Sequence, residues 1–168
     1  MLTYNQYYDT YHCIFRMLSV LALLTEKQIE FPRLRILDFY FSFPRLVADI
    51  QFPRVKGISE IKKNAKSFPV PYEIMPDQRR LFSEVGDFQI QAVHILKAKR
   101  IIKENESGII ELDEQFFNDK IADLMDSSRF LENEFFEHLV KMIEAIPLLG
   151  EKGLKRRTGL MEHRYDAI

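Results

Sequence analysis

A chain of 168 residues with 46% hydrophobic and 12% aromatic residues can bury its own core without disulfide or metal staples. Its formal charge of -1 gives no global attraction for nucleic acid, so any such contact needs a local patch. The lone cysteine, Cys13, excludes a disulfide framework and a thiolate metal site and suits a reducing compartment.

The first apolar run, Met17 to Leu24, is too short to span a bilayer, and Tyr4 to Asp9 before it lack a basic leader. A soluble, cytoplasmic protein is expected. Residues 9–24, "DTYHCIFRMLSVLALL", are apolar on nearly every side of a helix that Asp9 or Thr10 can cap, which calls for a central helix or one covered by a partner. In "FPRLRILDFYFSFPRLVADIQFP" (31–53), Pro32 and Pro44 suit first-turn positions. The pattern predicts one helix from Pro32 to about Phe41 and a short one from Pro44 to about Ile50. A third helix, 57–68, would be capped by Ser59, and the prolines of "PVPYEIMP" (69–76) force an extended segment.

"DQRRLFSEV" reads as a short helix stopped by Gly86, and 87–99 as another capped by Asp87. The period then changes. "RIIKENESGIIELD" (100–113) is a β-hairpin, with Asn105 and Gly108 supplying positive φ in its turn. Residues 114–125 follow as a helix with Phe117, Ile121 and Leu124 inward. A long helix from Ser127 or Ser128 ends at Pro147. The fold class is therefore mainly α with a small β-hairpin. The order is that of a winged-helix-like single domain, with "RLRILDFYFSF" as first helix, "FQIQAVHILKAK" as third, and extra N- and C-terminal helices. The domain covers 1–147, and a glycine- and arginine-rich arm, 148–168, packs on it.

Candidate chemistry is sparse. The four histidines have no second histidine at helical spacing and no HExxH, and His12 and Cys13 diverge by about 100° on a helix. No catalytic residue, metal ligand or cofactor is expected; Cys13 reads as a small buried hydrophobe. "GEKGLKRRTG" lacks the Gly-Lys-Ser/Thr ending and the preceding strand of a phosphate-binding loop.

DNA binding through helix 87–99 carries more weight. It offers Gln89, Gln91, His94, Lys97, Lys99 and Arg100, and Gln and Lys can read base edges in a major groove. Against it, the cations cluster where they also suit the helix dipole, and the wing is acidic through Glu104, Glu106, Glu111, Asp113 and Glu114. Gln91, His94, Lys97 and Arg100 are thus candidates for a DNA or partner contact. Docking gains support from 14 Phe and 7 Tyr without Trp. Blocks such as Phe39 to Phe43 with Phe52, and Phe116, Phe117, Phe135 and Phe136, cannot all face one core unless helices pack on several sides.

The blocks "YHCIFRML", "LRILDFYFSFP", "PDQRRLF" and above all "GLKRRTGLMEHRYD" resemble the middle components of bacterial ABC-three-component systems, group 5 in particular, from about Tyr11 to Asp166. The resemblance implies a non-catalytic accessory subunit in an anti-phage or anti-plasmid defence complex of the Lamassu kind. Its expected partners are an SMC/ABC-type ATPase subunit and an effector subunit, a nuclease in many such systems. DNA contact would be indirect, within the complex, and no membrane is involved. The rival reading is a free-standing winged-helix DNA-binding regulator. In the arm, Lys155, Arg156, Arg157, Arg164 and Tyr165 are expected to contact a partner, with bends at Gly150, Gly153 and Gly159.

Overall fold

The computed structural model describes residues 5–71, 74–113, 119–162 and 164. Helix α1 (Thr10–Leu23) is capped by Asp9, whose carboxylate accepts from His12 N. It packs chiefly against α2 (Phe31–Ser42) and α5 (Gly86–Ala98), with α7 (Arg129–Glu132) and α8 (Glu134–Glu144) also against it. That central position answers the all-round apolar character of its sequence.

Between α1 and α2 lies a strand that short-range patterning does not reveal. β1 (Gln28–Glu30) pairs antiparallel with β3 (Ile109–Leu112), which also pairs with β2 (Ile102–Glu104), giving the order β1-β3-β2. Ile29, Ile102 and Ile110 point into the core, while Lys103 stands opposite Glu111 in register and pairs with it at 3.3 Å. Three residues carry no alternation to detect; the β1 strand exists because β3 offers it a partner.

Several predicted boundaries shift. The segment Pro44–Asp49 is a 3-10 helix, and α3 (Ile58–Ser67) starts from Gly57 at φ 93°, not from a Ser59 cap. α4 (Gln78–Glu84), capped by Asp77, ends at Val85; Gly86 opens α5, and Asp87 lies within its first turn. An added Cβ at Gly86 would stand 2.9 Å from Arg35 Nη2, so glycine serves close packing there, not termination. In the hairpin turn only Gly108 has positive φ; the Asn105 side chain instead accepts from Ser107 N and Ile109 N.

The predicted last long helix is broken. Asn133 leaves helical geometry and its side chain accepts from Phe135 N, so α7 and α8 meet at an angle. The break lets Phe130 and Phe136 both reach Phe41, at centroid distances of 5.1 and 4.8 Å. Phe68 adds to this cluster through Phe135, at 4.9 Å. On the other side of α2, Phe39 meets Phe43 and Phe82. The described members of the aromatic blocks are thus taken up internally: Phe39, Tyr40, Phe41, Phe43, Phe135 and Phe136 are buried and Phe52 is half-buried. Among these described residues none is left exposed for docking. Helix α6 (Asp119–Asp126) follows the hairpin, and the predicted inward residues Phe117, Ile121 and Leu124 lie outside the described side chains, as does Phe116.

Basic side chains close several helix ends. Arg33 Nη1 donates to the carbonyls of Ile143 (2.6 Å) and Ile146 (2.7 Å) at the end of α8. Arg45 does the same for Lys66 and Phe68 after α3, and Lys27 for Ala22 in α1. Carbonyls without an intrahelical partner carry the negative end of the helix dipole, so a guanidinium satisfies both hydrogen-bonding and charge.

Candidate interaction surfaces

The most constrained polar site joins α1, α2 and α5. Asp38, fully buried, accepts from Arg16 Nε (2.7 Å) and Nη2 (3.4 Å) and from Gln89 Nε2 (2.8 Å), with the Cys13 thiol at 3.6 Å. Gln89 also donates to Arg35 O (3.0 Å) and accepts from Arg35 Nε (2.8 Å). The Arg35 guanidinium lies 4.6 Å from the centre of the Phe82 ring. Gln89 is therefore removed from the set that could read bases: it is 1% exposed and fully engaged in holding α5 to α2. Burial, with the Asp38 carboxylate beside it, pushes the Cys13 thiol up, which makes it an inert core group. For Arg16 burial alone would lower the guanidinium pKa, but Asp38 more than offsets this and the net direction is up.

Among the described residues, two of the open clefts hold about 420 Å³ each. One, between α3 and α8, is lined by Asn64, Phe68, Asn133, Phe135 and His138, with the Ser67 hydroxyl turned to Asn64 O at 2.6 Å. The other gathers Tyr11, His12, Phe15, Arg16 and Arg129, and there the Arg16 guanidinium is already committed to Asp38. His12 faces this cleft while Cys13 faces the core, so the two diverge as their spacing requires. Among the described residues no cluster of three or more His, Cys, Asp or Glu could hold a metal ion, and no helix is long and apolar enough to cross a membrane.

On α5, Gln91, His94 and Lys97 face solvent, and Arg100 follows at φ 56°. Gln91 accepts from the Thr10 hydroxyl at 3.1 Å, and Lys97 pairs with Glu104 of β2. The hairpin acids Glu104 and Glu111 thus face cations of the chain itself. Glu114 lies outside the described residues.

The arm is ordered by its backbone. Leu154 N donates to Pro147 O at 2.7 Å, Leu154 and Leu160 are buried, and the short helix α9 (Leu154–Thr158) ends at Gly159 with φ 67°. Gly150, at φ 88°, makes the other bend. Gly153 has ordinary φ; it is required because a Cβ there would meet Leu149 O at 2.4 Å. Arg157 turns inward: its Nε donates to Lys152 O and its Nη1 to Gln51 O, both at 2.6 Å, while Gln51 N donates to Arg157 O at 3.1 Å. Glu162 pairs with Arg79 of α4 at 3.4 Å. Lys155 is half-buried, Arg156 and Arg164 are exposed, and Tyr165 lies outside the described residues. The structure thus separates a positioning arginine, Arg157, from outward ones. The sequence signal that could have drawn attention to Asp38 and Arg16 was the one cation of apolar α1, "CIFRML", and the one acid of α2, "RILDFYF".

A mainly helical body with a small antiparallel sheet and a docked cationic arm is the class of molecule these features define. The family model of the ABC-three-component (ABC-3C) system Middle Component 5 matches residues 2–166, and the chain belongs to that family. No curated protein and no solved structure matches the chain.

Proposed function

We propose that the chain is a non-catalytic accessory subunit that docks on an SMC/ABC-type ATPase and helps hold an effector subunit, a nuclease, in check within an anti-phage or anti-plasmid complex of the Lamassu kind. The observation that carries the reading is the family match across residues 2–166. The tight internal order supports it as well, since the buried Asp38 network and the stitched arm make a rigid body with preformed surfaces. In this reading residues 1–147 form a winged-helix-like domain, for which β1 paired to β3 and α5 leading into the hairpin are the support. The arm, 148–168, lies on that domain and turns Lys155, Arg156, Arg164 and Tyr165 toward a component of the complex, with Arg157 anchoring it.

The test is co-expression with the ATPase and effector encoded beside this chain, followed by affinity purification on a tag carried by the ATPase. Retention of the chain through a salt wash is the expected result, and its absence from the eluate in every nucleotide state refutes docking. A free-standing DNA-binding regulator is the second reading, favoured by the solvent-facing Gln91, His94 and Lys97 ahead of the hairpin. It requires sequence preference in DNA binding that His94→Ala or Gln91→Ala abolishes.

A further inference from the structure

We propose that residues 51–67 and the C-terminal arm form one cationic face that holds the phosphate backbone of duplex DNA without reading its sequence. This rests on the reading that the arm's cations face outward, and it adds DNA bound by the complex to what they contact.

Charge is segregated along the chain. Between Gln51 and Ser67 stand five cations and one acid, Glu60; between Gly150 and Arg164 stand five cations and two acids, Glu151 and Glu162. The rest of the chain holds 14 cations against 22 acids. Folding joins the two cationic segments at Gln51, because the Arg157 guanidinium holds the carbonyls of both Lys152 and Gln51 and Gln51 N closes on Arg157 O. The segment "RVKGISEIKKNAK" is basic in sequence, and the fold is what joins it to the arm.

Pairing is segregated too. Outside this face several cations meet acids, though exposed Lys99 does not: Arg16 with Asp38, Arg80 with Glu84, Lys97 with Glu104, Lys103 with Glu111, Lys141 with Glu137. In contrast, the side chains of Arg54, Lys56, Lys62, Lys63, Lys66 and Arg156 enter no salt bridge or hydrogen bond among the described residues. Cations without partners on one face raise its positive potential, which an external polyanion offsets.

Composition selects the polyanion. Protein interfaces are anchored by buried aromatics and depleted in lysine. The described part of this face is lysine-rich, and its exposed large apolar residues are Val55 and Leu149, with no exposed aromatic. Single strands are held by stacking on aromatics, and among the described residues this face exposes none, whereas a duplex backbone asks only for cations. Dimensions agree. α3 buries Ile61 and Ala65 and turns Lys63 and Lys66 outward with Lys62 at the flank. Its 10 residues run about 15 Å, roughly four phosphates along one strand.

The test is fluorescence anisotropy of labelled duplex DNA with the full chain, over a salt series. Two unrelated sequences should bind with equal affinity, and log K should fall linearly with log salt. The triple variant Lys62→Glu/Lys63→Glu/Arg156→Glu should lose about tenfold or more in affinity and flatten the slope by about 2–3. Lys103→Glu, on the hairpin, should bind as the wild type does. Circular dichroism checks that these substitutions, at exposed Lys63, Lys103 and Arg156 and half-buried Lys62, leave the fold intact. The proposal is overturned by no duplex binding at low salt, by a triple variant that binds normally, by loss of binding in Lys103→Glu instead, or by a polyglutamate chain binding as tightly as DNA. It is equally overturned if the triple variant abolishes co-purification with the ATPase yet leaves DNA binding unchanged. Co-purification of the wild-type chain reads docking separately, so the two readings fail independently.

Discussion

Truncating Asp38 probes the polar junction of α1, α2 and α5. In the native chain its carboxylate accepts three hydrogen bonds from Arg16 and Gln89, at 2.7, 3.4 and 2.8 Å, and Arg16 is only 5% exposed. Asp38→Ala leaves the Arg16 guanidinium buried, with Gln6 O at 3.4 Å as the acceptor that remains to it. An uncompensated buried charge costs about 3–5 kcal/mol. For a chain of this length each kcal/mol moves Tm by about 2–4 °C, so a drop of about 6–20 °C is expected. Urea unfolding followed by circular dichroism measures the free energy directly. Replacing both members, Arg16→Met with Asp38→Leu, removes the stranded charge and should recover most of the loss, since hydrophobic replacement of a buried pair is often neutral. A cost below about 1 kcal/mol for Asp38→Ala, or a double variant weaker than the single one, would refute the reasoning.

Two further outcomes follow from named contacts. Gly153→Ala places a Cβ 2.4 Å from Leu149 O, a backbone atom that cannot swing aside, so about 1–3 kcal/mol of stability should be lost. Limited proteolysis should then cut the arm between Gly150 and Arg157 before the body; an arm as resistant as the wild type's would contradict the packing described. For Glu30, burial raises the carboxyl pKa, but the Arg33 guanidinium bonded to it at 2.8 Å outweighs this, and the net direction is below the ordinary 4.5. A carboxylate whose folded pKa is depressed stabilises the fold above its unfolded pKa and loses that contribution as pH falls through the folded one. Glu30→Gln should therefore be slightly less stable at pH 7, with the difference vanishing as pH falls below 4.5. A stability gap that persists or widens in acid would contradict the pairing.

Helix periodicity and caps in the sequence locate most elements because those signals are local: Asp9 caps α1, Pro32 opens α2, and the hairpin falls where β-type residues replace the helical period. What escaped is decided at a distance. β1 needs β3, and the break at Asn133 is favoured because Phe130 and Phe136 then share Phe41. Gly86 reads as a helix stop from its neighbours alone, and only the approach of Arg35 shows that a side chain there would have to displace its guanidinium. The arm's basic character was plain, but Lys155-Arg156-Arg157 looked like three equivalent cations. On α9 they point differently, and a backbone carbonyl at Gln51, far along the chain, turns one of them into an anchor. Likewise Gln89 and Gln91 are two residues apart on one helix, one buried on Asp38 and the other facing solvent.

The central claim is that this chain works as a subunit docked on an ATPase. Light scattering on the co-expressed components, resolved by size exclusion, tests it most directly. The account predicts a single species whose mass includes whole copies of this 20.0 kDa chain together with the ATPase. A chain that elutes alone at 20.0 kDa beside an ATPase peak without it, with and without nucleotide, would contradict the account.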